Sequence, residues 1–165
     1  MAHPLSTLGI VHTVISVVPV LAGLHCLIRD RRIDHSNGAG RFYLVSLALS
    51  VVTSFGLSST GRINAGHVLG VVAMLAALSP LVIEKLKFLG RLQRYAMTFG
   101  PSFSFFLLLV PGINETLSRL PVAHPLATGP EDPLVKMALL GWLLIFVVAF
   151  ATQCWAIHAG RVRAR

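Results

Sequence analysis

The chain's first chemical signal is a pair of histidines. His12 and His67 each fall a few residues inside an apolar stretch. A helix rises about 1.5 Å per residue, so both imidazoles should lie within roughly 3–6 Å of the same edge of a hydrocarbon layer. Two neutral imidazoles facing each other from different helices form the ligand pair that a b-type haem needs. Helix bundles build cofactor sites in this way, from side chains on facing helices. His25 lies near the far end of the first stretch and His158 at the end of the last. They repeat the theme at the opposite edge and would seat a second haem. The simpler role for all four is a polar contact between helices or a bond to a backbone carbonyl. Ionisable groups inside membrane spans are nevertheless rare and tend to be functional.

Other chemistry is sparse. Cys26 and Cys154 fall near the same edge as His25 and His158, and four such ligands suit zinc. Neighbours such as His25 and Cys26 point about 100° apart on a helix, however, so two reduced packing thiols are the better account. None of the six acidic residues (Asp30, Asp34, Glu84, Glu115, Glu131 and Asp132) lies mid-span, which argues against an ion-coupled carrier. Phe99, Phe103 and Phe106 share a helical face and could line a lipophilic or quinone pocket. Gly66 and Gly70, around His67, have the spacing that lets helices approach closely. Asn37-Gly38-Ala39-Gly40 lacks the strand and third glycine of a dinucleotide loop. Glu115 and Arg119 are four apart and predict a solvated ion pair in a loop.

These residues are carried on apolar segments. The composition is 55% apolar and 12% charged, against about 25% charged in an ordinary soluble domain. A membrane helix needs roughly 20 apolar residues, and five such segments are present, near 8–28, 42–58, 65–83, 95–113 and 134–157. The expected fold is an all-α integral membrane bundle of five transmembrane helices in one domain over residues 1–165. Pro101 and Pro111 make the fourth span the weakest, through kinking or shortening, and a four-span fold is the alternative. No positively charged leader precedes the first span, which reads as an uncleaved insertion signal.

The net charge of +8 does not imply nucleic acid as a partner, because the cations flank the spans. Arg29, Arg31, Arg32 and Arg41, then Lys85, Lys87, Arg91 and Arg94, then Arg161, Arg163 and Arg165 fall on one side of a five-span fold. Only Arg62, Arg119 and Lys136 fall on the other. The positive-inside rule then puts the amino terminus outside and the carboxyl terminus in the cytoplasm. A four-span fold loses this separation.

His12, the region of Gly23, His35, Gly40-Arg41-Phe42-Tyr43 and His67-x-x-Gly70 resemble an uncharacterised bacterial family of multi-span membrane proteins with a domain of unknown function. Glu115-Thr-Leu-Ser-Arg119-Leu-Pro121 and His124-Pro125-Leu126 extend the resemblance over most of residues 12–126. Ser36 follows His35 where that family commonly has Arg. The resemblance implies a multi-span fold and no activity. Small b561-type membrane cytochromes are similar only in architecture, through their size and paired histidines.

The expected function is a small electron-transfer or redox-accessory protein of the bacterial inner membrane. It would bind haem b through His12 and His67, with the bilayer and a redox partner around it. The alternatives are a cofactor-free accessory or assembly subunit of a larger membrane complex, and a channel or carrier for a small solute.

Overall fold

The computed structural model describes residues 7–57 and 64–160. The link that carries Arg62 and the tail arginines Arg161, Arg163 and Arg165 lie outside the described residues. The fold is all-α. Helices α1 (Thr7–Asp30), α2 (Gly38–Ser54), α3 (Ala65–Ile83), α4 (Gln93–Arg119) and α5 (Pro133–His158) run in chain order, with short 3₁₀ segments at Phe55–Leu57 and Lys87–Leu92. All five are long and apolar enough to cross a membrane.

Caps set several boundaries. Asn37 begins α2 by accepting a bond from the Gly40 N–H, and Asp132 begins α5 by accepting from Leu134 N–H. This is ordinary N-capping, and it gives Asn37-Gly38-Ala39-Gly40 a structural role. At the other end of α3, the Gln93 amide donates to the carbonyls of Ile83 and Glu84. Those are orphan acceptors of a helix end. Gly90 has φ +50°, a left-handed conformation that glycine adopts at no steric cost, and it turns the 3₁₀ segment toward α4.

The fourth helix departs from expectation. It is continuous over 27 residues with Pro101 and Pro111 inside it, and it ends at Arg119 rather than near Ile113. Membrane helices tolerate internal proline when neighbours re-satisfy the freed backbone, and Pro101 is fully buried against the bundle. Glu115 and Arg119 do pair, but on the last turn of α4 and not in a loop.

The interior is small-residue and polar. Ala22, Cys26, Ile33, Tyr43, Leu47, Ala77 and Phe105 form the core. Ser46, Ser50, Thr98, Ser102, Ser104 and Gln153 are also buried. The outside is apolar: Val14, Ile28, Val52, Leu75 and Met137 are each more than 60% exposed. A soluble monomer rarely shows so continuous an apolar surface, whereas lipid is a fitting neighbour for it. The pattern is that of a multi-pass membrane protein.

Packing follows the chain. The broadest interface joins α3 to α4, then α1 to α2, α4 to α5 and α2 to α3, with a smaller contact between α1 and α4. A Cβ on Gly23 would come within 2.5 Å of the Phe105 ring and 3.0 Å of Tyr43, so glycine there lets α2 and α4 close on α1. The Gly66/Gly70 pair is not where helices crowd. A Cβ at Gly70 would meet Val51 at 3.5 Å, an ordinary contact.

Candidate functional site

His12 and His67 come to the same place from opposite sides. Both bond to the last turn of α2, at the adjacent residues Thr53 and Ser54. The His12 Nδ1 lies 2.9 Å from Thr53 Oγ1. The Thr53 hydroxyl also reaches the carbonyls of Leu49 and Ser50, and when it donates to one of them it accepts from His12. That arrangement puts the proton of a neutral His12 on Nδ1, a tautomer inferred from the hydrogen-bond network. The His12 Nε2 then accepts from Ser16 Oγ at 3.2 Å. Ser16 has thereby used its proton, so Ser50 donates to it at 2.7 Å. One ordered chain runs Ser50, Ser16, His12, Thr53 and ends on backbone carbonyls. Among the described residues it meets no carboxylate. It ties α1 to α2.

His67 is fixed more tightly. It is the third residue of α3, where the Asn64 side chain accepts from the His67 N–H at 3.1 Å and the Asn64 N–H donates to His67 Nδ1 at 3.0 Å. This reciprocal pair is a capping box with histidine in place of the usual Glu or Gln. The Nε2–H then donates to the Ser54 carbonyl at 2.9 Å, an acceptor freed at the end of α2. The ring also stacks on Phe55, centroids 4.8 Å apart and planes 10° apart. One buried side chain therefore starts α3 and finishes α2.

An iron ligand must offer a free lone pair. The lone pair of His67 on Nδ1 faces the Asn64 N–H, and that of His12 on Nε2 faces Ser16. The last turn of α2 is bonded to both rings. As arranged, the nitrogens of both imidazoles are engaged in bonds within the bundle. The opposite edge behaves differently again. His25 and His158 are both exposed, and their helices, α1 and α5, share no substantial interface, so the fold does not bring this pair together. Cys26 is buried in the core and Cys154 is half-buried on α5, both as free thiols. Among the described residues, no group of three or more His, Cys, Asp or Glu side chains could hold a metal ion.

A second set of polar contacts joins the helices. Tyr43 and Ser104 pair at 2.8 Å between α2 and α4. Ser102 donates to Gln153 at 2.9 Å between α4 and α5, and Trp142 Nε1–H donates to the Phe106 carbonyl at 3.0 Å. The signal was present as Ser, Thr and Gln inside apolar runs. Such residues serve as interhelical glue, each worth about 0.6 kcal/mol on average in a membrane. Phe99 and Phe103 line a groove of about 640 Å³ between α3, α4 and α5, while Phe106 instead stacks on Trp142.

No family model, no curated protein and no solved structure matches this chain.

Proposed function

We propose that this chain is a cofactor-free accessory subunit of a larger membrane complex, and that α5 docks on the partner. The observation that carries this reading is the position of α5. Among the described residues its one substantial interface is with α4, and only 6% of its most apolar 18 residues are buried, against 39% in the fourth span. Polar bonds from Trp142 and Gln153 hold one face on α4. The rest, including Leu140, Leu144 and Val148, is exposed. The histidines support the same reading, because their nitrogens already bond within the bundle.

Photocrosslinking in native membranes tests it. Probes at Leu144 and Val148 should give one discrete, near-stoichiometric adduct with a different membrane protein. Probes at Val14 and Leu21 on α1, equally exposed to lipid, should give none. Lipid adducts alone at both sites, or an adduct of twice the chain's own mass, would overturn the partner reading.

Electron transfer through haem b is the second reading. It is favoured by the shared depth of His12 and His67 at the end of α2, and it requires both rings to leave their present bonds. A sharp α-band in a reduced-minus-oxidised spectrum, with about one haem per chain, would establish it. A colourless protein from haem-replete cells would remove it.

The membrane is proposed to be a bacterial inner membrane, with the amino terminus outside. The cations around Arg29–Arg41 and Lys85–Arg94 support this orientation. So does the approach of His35 to Glu84 at 4.0 Å, which keeps those two clusters at one end of the bundle. Arg119 and Lys136 lie at the opposite helix ends.

A further inference from the structure

The groove between α3, α4 and α5 has an apolar body and a cationic mouth. Its walls are built from Ala76 and Ser79 of α3, Phe99 and Phe103 of α4, and Phe150 of α5, with Leu89 and Leu92 of the 3₁₀ segment near one end. Its volume of about 640 Å³ lies in the range of roughly 300–1,000 Å³ typical of small-molecule sites. From Tyr95 to Phe103 it follows α4 for about 12 Å at helical rise, close to the half-thickness of a hydrocarbon core about 30 Å across. That is the shape of one acyl chain in one leaflet.

The mouth carries charge. Lys85, Lys87, Arg91 and Arg94 are exposed there, and among the described residues none of them has a carboxylate partner. Glu84, the acidic residue beside them, leans toward His35. Arg94 rests over the Tyr95 ring at 5.8 Å, and Tyr95 lines the groove. Phe88 and Leu92 are 82% and 66% exposed on the same short segment as Lys87 and Arg91. Alternation of exposed apolar and cationic side chains is how a segment lies in the headgroup layer. Deeper in, the Ser79 hydroxyl donates to the Ala76 carbonyl and the walls around it are apolar.

We propose that this groove binds one anionic phospholipid, its acyl chain along Phe99, Phe103 and Phe150 and its phosphate held by Lys87, Arg91 and Arg94. The inference is independent of any partner on α5. Native mass spectrometry of the delipidated full chain tests it, by titration with phosphatidylglycerol and phosphatidylcholine of identical acyl chains. Cations near a membrane surface each attract anionic lipid, so three should favour phosphatidylglycerol by about tenfold or more. The K87Q/R91Q/R94Q variant should bind the two lipids alike, and because all three side chains are exposed it should fold normally. Ala96→Phe, which fills the groove, should weaken both lipids while the circular dichroism stays that of the parent. Equal affinity of the unmodified chain for both lipids would overturn the proposal. So would a preference that survives loss of the three cations, or a quinone recovered at one per chain and lost in Ala96→Phe.

Discussion

The fourth helix packs on two neighbours by opposite means. Against α3 it presents Gly100, where an added Cβ would come within 2.6 Å of the Ala76 carbonyl and collide with the Ser79 hydroxyl. Against α5 it presents rings. Phe99, Phe103 and Phe106 meet Phe146, Phe150 and Trp142 at centroid separations of 5.0–6.2 Å. Small residues let backbones approach, and in a membrane that close van der Waals packing is a main source of helix association. Rings hold backbones apart and exchange one apolar neighbour for another, since lipid tails are as apolar as Phe. The first interface is broad and specific, whereas the second is narrow and leaves a groove beside it. Closeness, more than hydropathy, decides which apolar helix is core and which is periphery.

The sharpest way to break this contrast is at Gly100. Gly100→Ala should cost about 1–3 kcal/mol, the usual range for overpacking a close contact, and Gly100→Leu should prevent the parent fold. Reversible unfolding in mixed micelles measures both. An unchanged midpoint for Gly100→Ala would mean that the helices do not approach as closely as described. Phe146→Ala, which removes the ring touching Phe99, Phe103, Phe106 and Phe150, should cost less, about 1–2 kcal/mol. Aromatic pairs add roughly 0.5–1.5 kcal/mol beyond burial, and lipid can fill the gap. Its signature is selective: faster amide exchange or greater spin-label mobility in α5, with α1 to α4 unchanged. Global destabilisation would show that α5 belongs to the core.

Five helices could be read from the sequence because apolar length is a strong and local signal. The end of α4 could not, since Asn114, Glu115, Thr116 and Ser118 look like loop residues and yet form its last turns. Pro101 and Pro111 also read as breaks, yet the helix runs through both. Depth along a helix is legible too, and both His12 and His67 reach the last turn of α2. What the rings touch was not legible, because their partners are a threonine hydroxyl and a backbone carbonyl on α2. Neither leaves a motif. The capping box at Asn64 had a readable half, an Asn before an apolar run, but histidine three residues on is not its usual second member.

His67 joins two helix ends, so its removal should be felt on both sides. His67→Ala leaves the Ser54 carbonyl without its donor and breaks half of the capping box, for an expected loss of about 1–2 kcal/mol. Hydrogen exchange should rise in the last turn of α2 and the first of α3, with the middle of each helix protected. His12→Ala should cost less, about 0.6 kcal/mol, the average for a polar contact between membrane helices. If His12→Ala instead proved the more damaging, the ordered chain through Ser16 and Ser50 would outweigh the double cap.

The smallest expected effect lies in the loop after α1 and depends on pH. Burial alone would raise the Asp34 carboxyl. Bonds from the Ser36 side chain and backbone, with the Arg32 guanidinium and His35, outweigh it and hold the carboxyl below its ordinary range. Arg32 donates to it at 2.6 Å and the Ser36 N–H at 2.9 Å. A depressed carboxyl contributes stability that is fully present above its unfolded value of about 3.9 and is lost as pH falls through the folded value. Partial exposure and salt reduce this contribution, as for most surface pairs. Asp34→Asn should therefore lower the unfolding midpoint slightly at pH 7, by an amount that shrinks as the pH is taken below 4 toward 3. A difference that persisted undiminished at pH 3 would assign the effect to loop geometry and not to the charge.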